Sequence, residues 1–417
     1  MNAARNTEAE DAEYLLSAAA VRERGGIVLS AAERGETRHF GLIPERLDEA
    51  AKRVVAVTRR RYPDLKVPYH SRWRHFDSGG IDRAAMVAPG ADSFERARAR
   101  IDLAIVSVLL DAGAGAEWRY REAETGAVLV RSEGLAVASL RAMQAGLFSA
   151  DPDNPWRADT AALRSLTVER LAAAFQHGPG NELAGLEGRA ALLRRLGEVA
   201  ADAPQWFGRP ARLGNVVDFC LRTAAVPAAF GGRDARGPNL AAPDILRLLL
   251  VALGPIWPGR LSLAGVSLGD CGRHPAVGGD GFVPFHKLSQ WLAYSLVEPL
   301  EEAGIAVTDL DGLTGLAEYR NGGLLVDCGV IVPRDPELTR SVLDPFGEAV
   351  VEWRALTVAL LDRLAAAARG RLGKTAAELP LAAVLEGGSW AAGREIAVEL
   401  RPDGRPPLVV ASDGTLF

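Results

Sequence analysis

The spacing of apolar residues along the chain is mostly helical. In IPERLDEAAKRVVAVTRRRY, Pro44 stands where a first helical turn tolerates it, and Leu47, Ala51, Val54, Val55 and Ala56 recur at helical intervals. SFERARARIDLAIVSVLLDAG repeats the pattern, with Ser93 as the expected N-cap and Gly113 as the stop. The same periodicity predicts helices over 132–146, 160–175, 186–200, 212–223, 241–253, 284–303 and 346–369. Period-two alternation is confined to short pieces. AEWRYREAETGAVLVRSEG predicts a hairpin turning at Thr125-Gly126, and LAEYRNGGLLVDCGVIVPR a second turning at Asn321-Gly322-Gly323. The C-terminal REIAVELRPDGRPPLVVASDGTLF predicts two short strands joined by Asp403-Gly404. The expected fold is therefore mainly α, a large single helical domain with small antiparallel β hairpins. There is no internal repeat, and the Pro/Gly-rich stretch 225–240 is the expected place for an internal loop or subdomain boundary.

Composition narrows the function classes. The 417 residues carry 53 acids against 48 bases, a net charge of -5, so nucleic acid is not the expected partner. No run of about 18 apolar residues occurs, so no membrane partner is expected either. Cys220, Cys271 and Cys328 are too few and too scattered for a disulfide framework or a CxxC-type zinc site. The polar, acidic start MNAARNTEAEDAEYLL lacks the basic and apolar regions of a signal peptide, and a cytoplasmic protein is the expectation.

Polar chemistry is densest between Gly265 and Trp291, GVSLGDCGRHPAVGGDGFVPFHKLSQW, which holds two of the six His and one of the four Lys. With Pro284 in its first turn, the helix VPFHKLSQWLAYSLVEPL places Phe285, Leu288, Leu292, Leu296 and Leu300 on one face. The other face collects Lys287, Gln290, Trp291, Tyr294 and Glu298, an unusual set for a solvent face. Two readings follow: a helix packed on both sides, or a face lining a ligand. Before it, Asp270 and His274 sit in a Gly-rich loop where the backbone can approach a ligand; the plain alternative is a turn-capping Asp and an exposed His. Asp270, His274 and His286 match no standard metal-ligand spacing, and neither metal nor cofactor is expected. A Cys271–His274 nucleophile pair would be unusual at this spacing, and no GxSxG elbow is present.

HSRWRHFDSGGIDR forms a second cluster, in which Arg72, Arg74 and Arg83 could hold a phosphate or carboxylate, with His75 and Asp77 beside them. It equally reads as an ion-paired surface loop, and it is no P-loop. Weaker candidates are Asn215 and Asp218, one helical turn apart in GNVVDFCLR, and Asp327 in the apolar strand expected at NGGLLVDCGVI, where a carboxylate needs a partner. Glu386, Trp390, Arg394 and Asp413 close the chain in a Gly-rich polar tail.

HFDSGGIDR, SLGD followed by His274, VPFHKLSQWLAYSLVEPL, GLLVDCGVI, WAAGREIA and SDGTLF, in this order, resemble the uracil-catabolism protein four family of fungi and bacteria, over about residue 10 to Phe417. That resemblance implies a place in uracil breakdown through a ribosylurea-type intermediate, beside a cyclohydrolase-like partner enzyme. GDGFVPFHKLSQWLAYSL is also similar to the Asp-x-x-Val-Pro segment of the queuosine 5′-phosphate N-glycosylase family, which implies an all-α, helix-hairpin-helix glycosylase-like fold. On that likeness Asp280 takes the place of the motif's acid, with Asp270 second. The expected activity is hydrolysis of the ribose–urea bond of a ribosylurea, 5′-phosphorylated, without a cofactor. Asp280 or Asp270 would stabilise the sugar cation, and His274 or Lys287 would assist the leaving group. Trp291 and Tyr294 would wall the ureide, Gln290 would pair with its amide edge, and Arg74 and Arg83 would hold the phosphate. The rivals are an amidohydrolase acting on the ureide and a non-catalytic, nucleotide-binding or regulatory subunit of the same pathway.

Overall fold

The computed structural model describes residues 2–115, 117–224, 233–234, 237–257 and 260–411. The fold is mainly α, with small sheets of two or three short strands. Among the described residues no helix is long and apolar enough to cross a membrane. Chain contacts divide into two compact units, each assembled from separated segments. The first takes the chain up to His70, from 260 to Gln290 and from Asp309 to Ala411; the second takes Ser71 to 257 and Trp291 to Thr308.

The first unit is built on the 25-residue helix Glu348–Leu372, buried along most of its length from Val350 to Ala368. The helices Ala18–Glu33 and Leu47–Arg61 pack against it. Ser17 caps the former, its side chain accepting the Ala20 N–H at 3.1 Å. The strands Phe40–Leu42 and Ile331–Pro333 pair antiparallel, as do Cys271–Arg273 and Phe282–Pro284. Leu15, Ala20, Leu268, Cys271 and Phe282 form a buried apolar cluster. It seats the polar 265–285 loop on the N-terminal helices, since each buried aliphatic or aromatic side chain contributes about 1.5–3 kcal/mol.

In the second unit the helices Ser93–Leu109, Arg131–Gln144, Leu186–Ala201 and Ala242–Leu253 carry the core. A hairpin pairs Tyr120–Arg121 with Val128–Leu129, as the Thr125-Gly126 turn predicts. Gly237–Ala241 pairs parallel with Ala306–Thr308 and antiparallel with Arg233–Asp234. The stretch 225–240 lies partly outside the described residues.

Four local expectations are corrected. Asn321-Gly322-Gly323 is not a hairpin turn but part of the helix Tyr319–Asp327, capped by Glu318. Gly322 serves close packing there, since a Cβ would sit 2.7 Å from the Trp353 ring. Asp327, expected in a strand, therefore ends a helix. The C-terminal hairpin is instead the helix Trp390–Leu400 followed by Val409–Val410, which pairs parallel with Val342–Leu343; Asp413 lies outside the described residues. Asp92 rather than Ser93 caps its helix, accepting the Glu95 N–H at 2.9 Å. Pro284 ends a strand, and the helix that follows begins at Lys287.

Candidate functional site

Asp270 sits where the Cys271–Arg273 hairpin meets the helix beginning at Lys287. Its carboxylate accepts both terminal nitrogens of Arg354 at 2.8 Å and the Lys287 N–H at 3.0 Å, which caps that helix. Burial alone would raise its pKa, but the Arg354 charge and hydrogen bonds outweigh burial and bring it to about 2. Asp270 is thus an ionised anchor. His286, at φ +50, is buried and directs Nε2 to the Leu15 carbonyl at 2.8 Å; burial lowers its pKa, so the ring stays neutral. His274 is buried as well. Its Nδ1 accepts the Ala276 N–H at 3.2 Å, so Nε2 carries the proton donated to Glu352 at 3.2 Å. Asp280 accepts the Phe282 N–H at 2.8 Å and has Arg24 at 3.4 Å.

Gln290 is fully buried, and its amide is used at both ends. Nε2 donates to the Phe285 carbonyl and the Thr314 hydroxyl at 3.0 and 2.6 Å, and Oε1 accepts the Thr314 N–H at 2.9 Å. It ties the start of its helix to the 313–318 segment, which leads to Glu318. The Glu318 carboxylate accepts the N–H groups of Arg320 and Asn321 at 2.7 and 2.5 Å. Burial pushes its pKa above the usual carboxylate range, opposed by those two N–H donors and by the charges of Lys287 and His70. From the same helix Asn321 Oδ1 accepts the Ser389 hydroxyl at 2.8 Å. Ser389 ends the π-helical turn Leu385–Ser389, a local widening of the helix frequent at functional sites. Glu386 in that turn accepts His70 Nδ1 at 2.9 Å, Arg61 at 3.0 Å and the Tyr62 hydroxyl at 3.2 Å. The first unit therefore holds two buried carboxylates on segments joined by the Asn321–Ser389 bond: Glu318, whose pKa burial raises, and Glu386, surrounded by donors and orienting an imidazole.

Asp327 is also in this unit, paired with both terminal nitrogens of Arg401 at 2.9 and 2.5 Å. In the second unit Trp291 and Tyr294 are buried; His75 meets the Trp291 ring edge-on at 5.5 Å, and the Arg72 guanidinium lies 5.5 Å from its centroid. Arg74 binds both oxygens of Glu298 at 2.7 and 3.0 Å and reaches Asp77 at 3.8 Å. Asp77 is half-buried, and that burial raises its pKa. Arg83 is committed within the fold, buried against Glu122. Asn215 and Asp218 line one pocket, with Asp218 held by Arg98.

The metal-capable group among the described residues is not Asp270, His274 and His286 but His39, Glu348 and Glu352, whose donor atoms lie within 4.8 Å of one another. Glu352 already accepts the backbone N–H groups of His39 and Phe40 as well as His274. Glu318, Glu352 and Arg354 were not singled out by the sequence patterns. The last two were signalled by a glutamate and an arginine inside the apolar helical run VEWRALTVALL, because a charge on a buried face must be paired.

A family model described as protein of unknown function (DUF1688) matches residues 14–417. Protein urg3 of Schizosaccharomyces pombe is 41% identical over 418 residues, spanning 98% of this chain and 99% of that protein. Uracil catabolism protein 4 of Lachancea kluyveri is 35% identical over 441 residues, spanning 97% of this chain and 98% of that protein. This chain belongs to the DUF1688 family and is similar over nearly its whole length to uracil catabolism protein 4.

Proposed function

We propose that the chain acts in uracil catabolism as a hydrolase of an N-glycosidic bond, releasing urea from a ribosylurea, 5′-phosphorylated. The name of the Lachancea kluyveri relative supports the pathway. The observation that carries the reaction is Glu318, a buried carboxyl whose pKa is raised by burial, in the same unit as Lys287 and the His70–Glu386 pair.

Cleaving the bond requires a proton for the leaving urea nitrogen, negative charge beside the oxocarbenium-like sugar, and an oriented water. Glu318 supplies the proton, because burial raises its pKa and so favours the protonated form that a general acid needs. Glu386 holds the His70 ring by Nδ1, as a carboxylate orients an imidazole that receives a proton from water. Asp270 and His274 support the reaction by position: Asp270 fixes the start of the helix carrying Lys287, and His274 secures Glu352. Asp280 is a second carboxylate at the loop, with its own hydrogen bond to Phe282.

The test is urea release by the purified chain from ribosylurea and its 5′-phosphate. Glu318→Gln keeps the shape of the side chain and should lower kcat by about 100-fold or more, with little change in KM. It should also abolish the fall in kcat as pH rises through the raised Glu318 pKa. Full activity in Glu318→Gln removes Glu318 from the mechanism. A wild-type chain that binds the phosphorylated ureide without releasing urea is instead a non-catalytic binding subunit.

A further inference from the structure

The second unit holds a pocket of about 490 Å³ lined by residues of the helix Ser93–Leu109, the 206–212 turn and the helix Val216–Ala224. Five arginines line it, Arg98, Arg157, Arg209, Arg212 and Arg222, against two acids, Glu95 and Asp218. Two of the arginines are matched. Arg212 binds Asp102 and Glu95, each at 2.6 Å, and Arg98 binds both oxygens of Asp218 at 3.1 and 2.6 Å. These pairs use up the lining acids and set the wall of the pocket.

The other three arginines are not matched in this way. Arg157 reaches Asp159 only at 3.5 Å and Asp151 at 3.9 Å. Asp159 is already occupied by the N–H groups of Ala150 and Ala162 at 2.8 and 3.0 Å. Arg222 donates to the Gln205 carbonyl at 3.5 Å, and no carboxylate lies within ion-pair distance of it among the described residues. Arg209, which is exposed, makes no hydrogen bond or ion pair among the described residues. Trp206 adds an aromatic wall, its ring centroid 4.4 Å from that of Phe219. The Asn215 amide nitrogen is fixed on the Phe207 carbonyl at 2.9 Å.

We propose that this pocket binds a small phosphate monoester, a nucleoside or sugar monophosphate, as a site additional to the hydrolytic one. Guanidinium forks match phosphate oxygens in pairs, and three of them at one hollow can share a dianion. The volume suits a ligand of that size, and Trp206 offers its base or sugar an apolar surface. None of these residues belongs to the reaction proposed above, so the two assignments stand or fall separately.

Calorimetric titration of the full chain with UMP, ribose 5-phosphate, inorganic phosphate and uridine tests it. The monophosphates should bind saturably and more weakly as salt rises, and uridine should not bind. An Arg209→Ala, Arg222→Ala double variant should weaken one binding equivalent per chain by about 100-fold, roughly tenfold for each guanidinium removed. The corresponding Lys variants should recover part of that affinity. Both side chains are exposed, so the melting temperature should hold. Glu318→Gln should leave this equivalent intact even where urea release is abolished. Absence of monophosphate binding, or binding unchanged in the double variant, overturns the proposal whatever the outcome of the urea assay.

Discussion

Replacing Arg83 separates a guanidinium kept for a ligand from one kept for the fold. Both Arg83 and Glu122 are 0% exposed. Arg83 Nε and Nη2 bind Glu122 at 2.9 and 2.5 Å, and Nη1 donates to the carbonyls of Phe76 and Ser78 at 2.9 and 2.7 Å. Thr125 and Arg141 complete the shell around Glu122, at 2.7 and 2.5 Å. The Arg83 hydrogen bonds, opposed by burial and reinforced by Thr125 and Arg141, hold the Glu122 carboxyl at about 2 instead of its ordinary 4.5. At about 1.4 kcal/mol per pH unit, that difference is worth about 3 kcal/mol of folding stability. Because the acid is depressed, the contribution is complete above pH 4.5 and is lost as pH falls toward 2. Arg83→Met leaves Glu122 buried with only part of its shell and should cost about 3–5 kcal/mol at neutral pH, read from urea unfolding. Glu122→Gln should flatten the acid limb of the stability profile. An Arg83→Met chain that unfolds at the wild-type urea midpoint but loses substrate affinity would refute the structural role and restore Arg83 as a phosphate holder.

Asp270→Asn should cost at least about 2 kcal/mol, since the native acid lies at about 2 against an ordinary 3.8 and Arg354 is left buried without its carboxylate. Thermal unfolding should show the loss; unchanged stability with abolished turnover would make Asp270 a catalyst rather than an anchor. Gly393→Ala should cost about 1–3 kcal/mol, because a Cβ there would overlap the Arg320 carbonyl where the helices Tyr319–Asp327 and Trp390–Leu400 cross. A melting temperature equal to wild type would mean that the crossing relaxes freely.

The helices were legible where one face repeats over a long run, although the helix expected over 160–175 is split into Thr160–Arg164 and Val168–Ala174. The expectation over 346–369 is the helix Glu348–Leu372, and 186–200 is Leu186–Ala201, because burial against neighbours enforces that period. Gly322 was misleading because its use, clearance for Trp353, lies in a partner distant in sequence. The polar density of 265–291 was real, yet Gln290, His274 and His286 each have a fixed partner within the fold. Polar residues mark where buried hydrogen bonding is needed, and not by themselves where a substrate sits. Glu318 and Glu386 stand 68 residues apart and share no motif; the Asn321–Ser389 bond, the π turn and the helix crossing at Gly393 bring their segments together.

The three-part make-up of the first unit has a consequence for synthesis. Its central helix and the stretch up to Ala411 leave the ribosome after Thr308, by which point the second unit's described segments are complete. The helix Ala18–Glu33 must therefore wait until Glu348–Leu372, the helix it covers, has been made, exposing Val21, Val28 and Leu29 meanwhile. No single continuous fragment ending before Glu348 can carry the Glu318–Glu386 arrangement, so expression of the whole stretch through Ala411, with assistance against aggregation, is the route to folded protein.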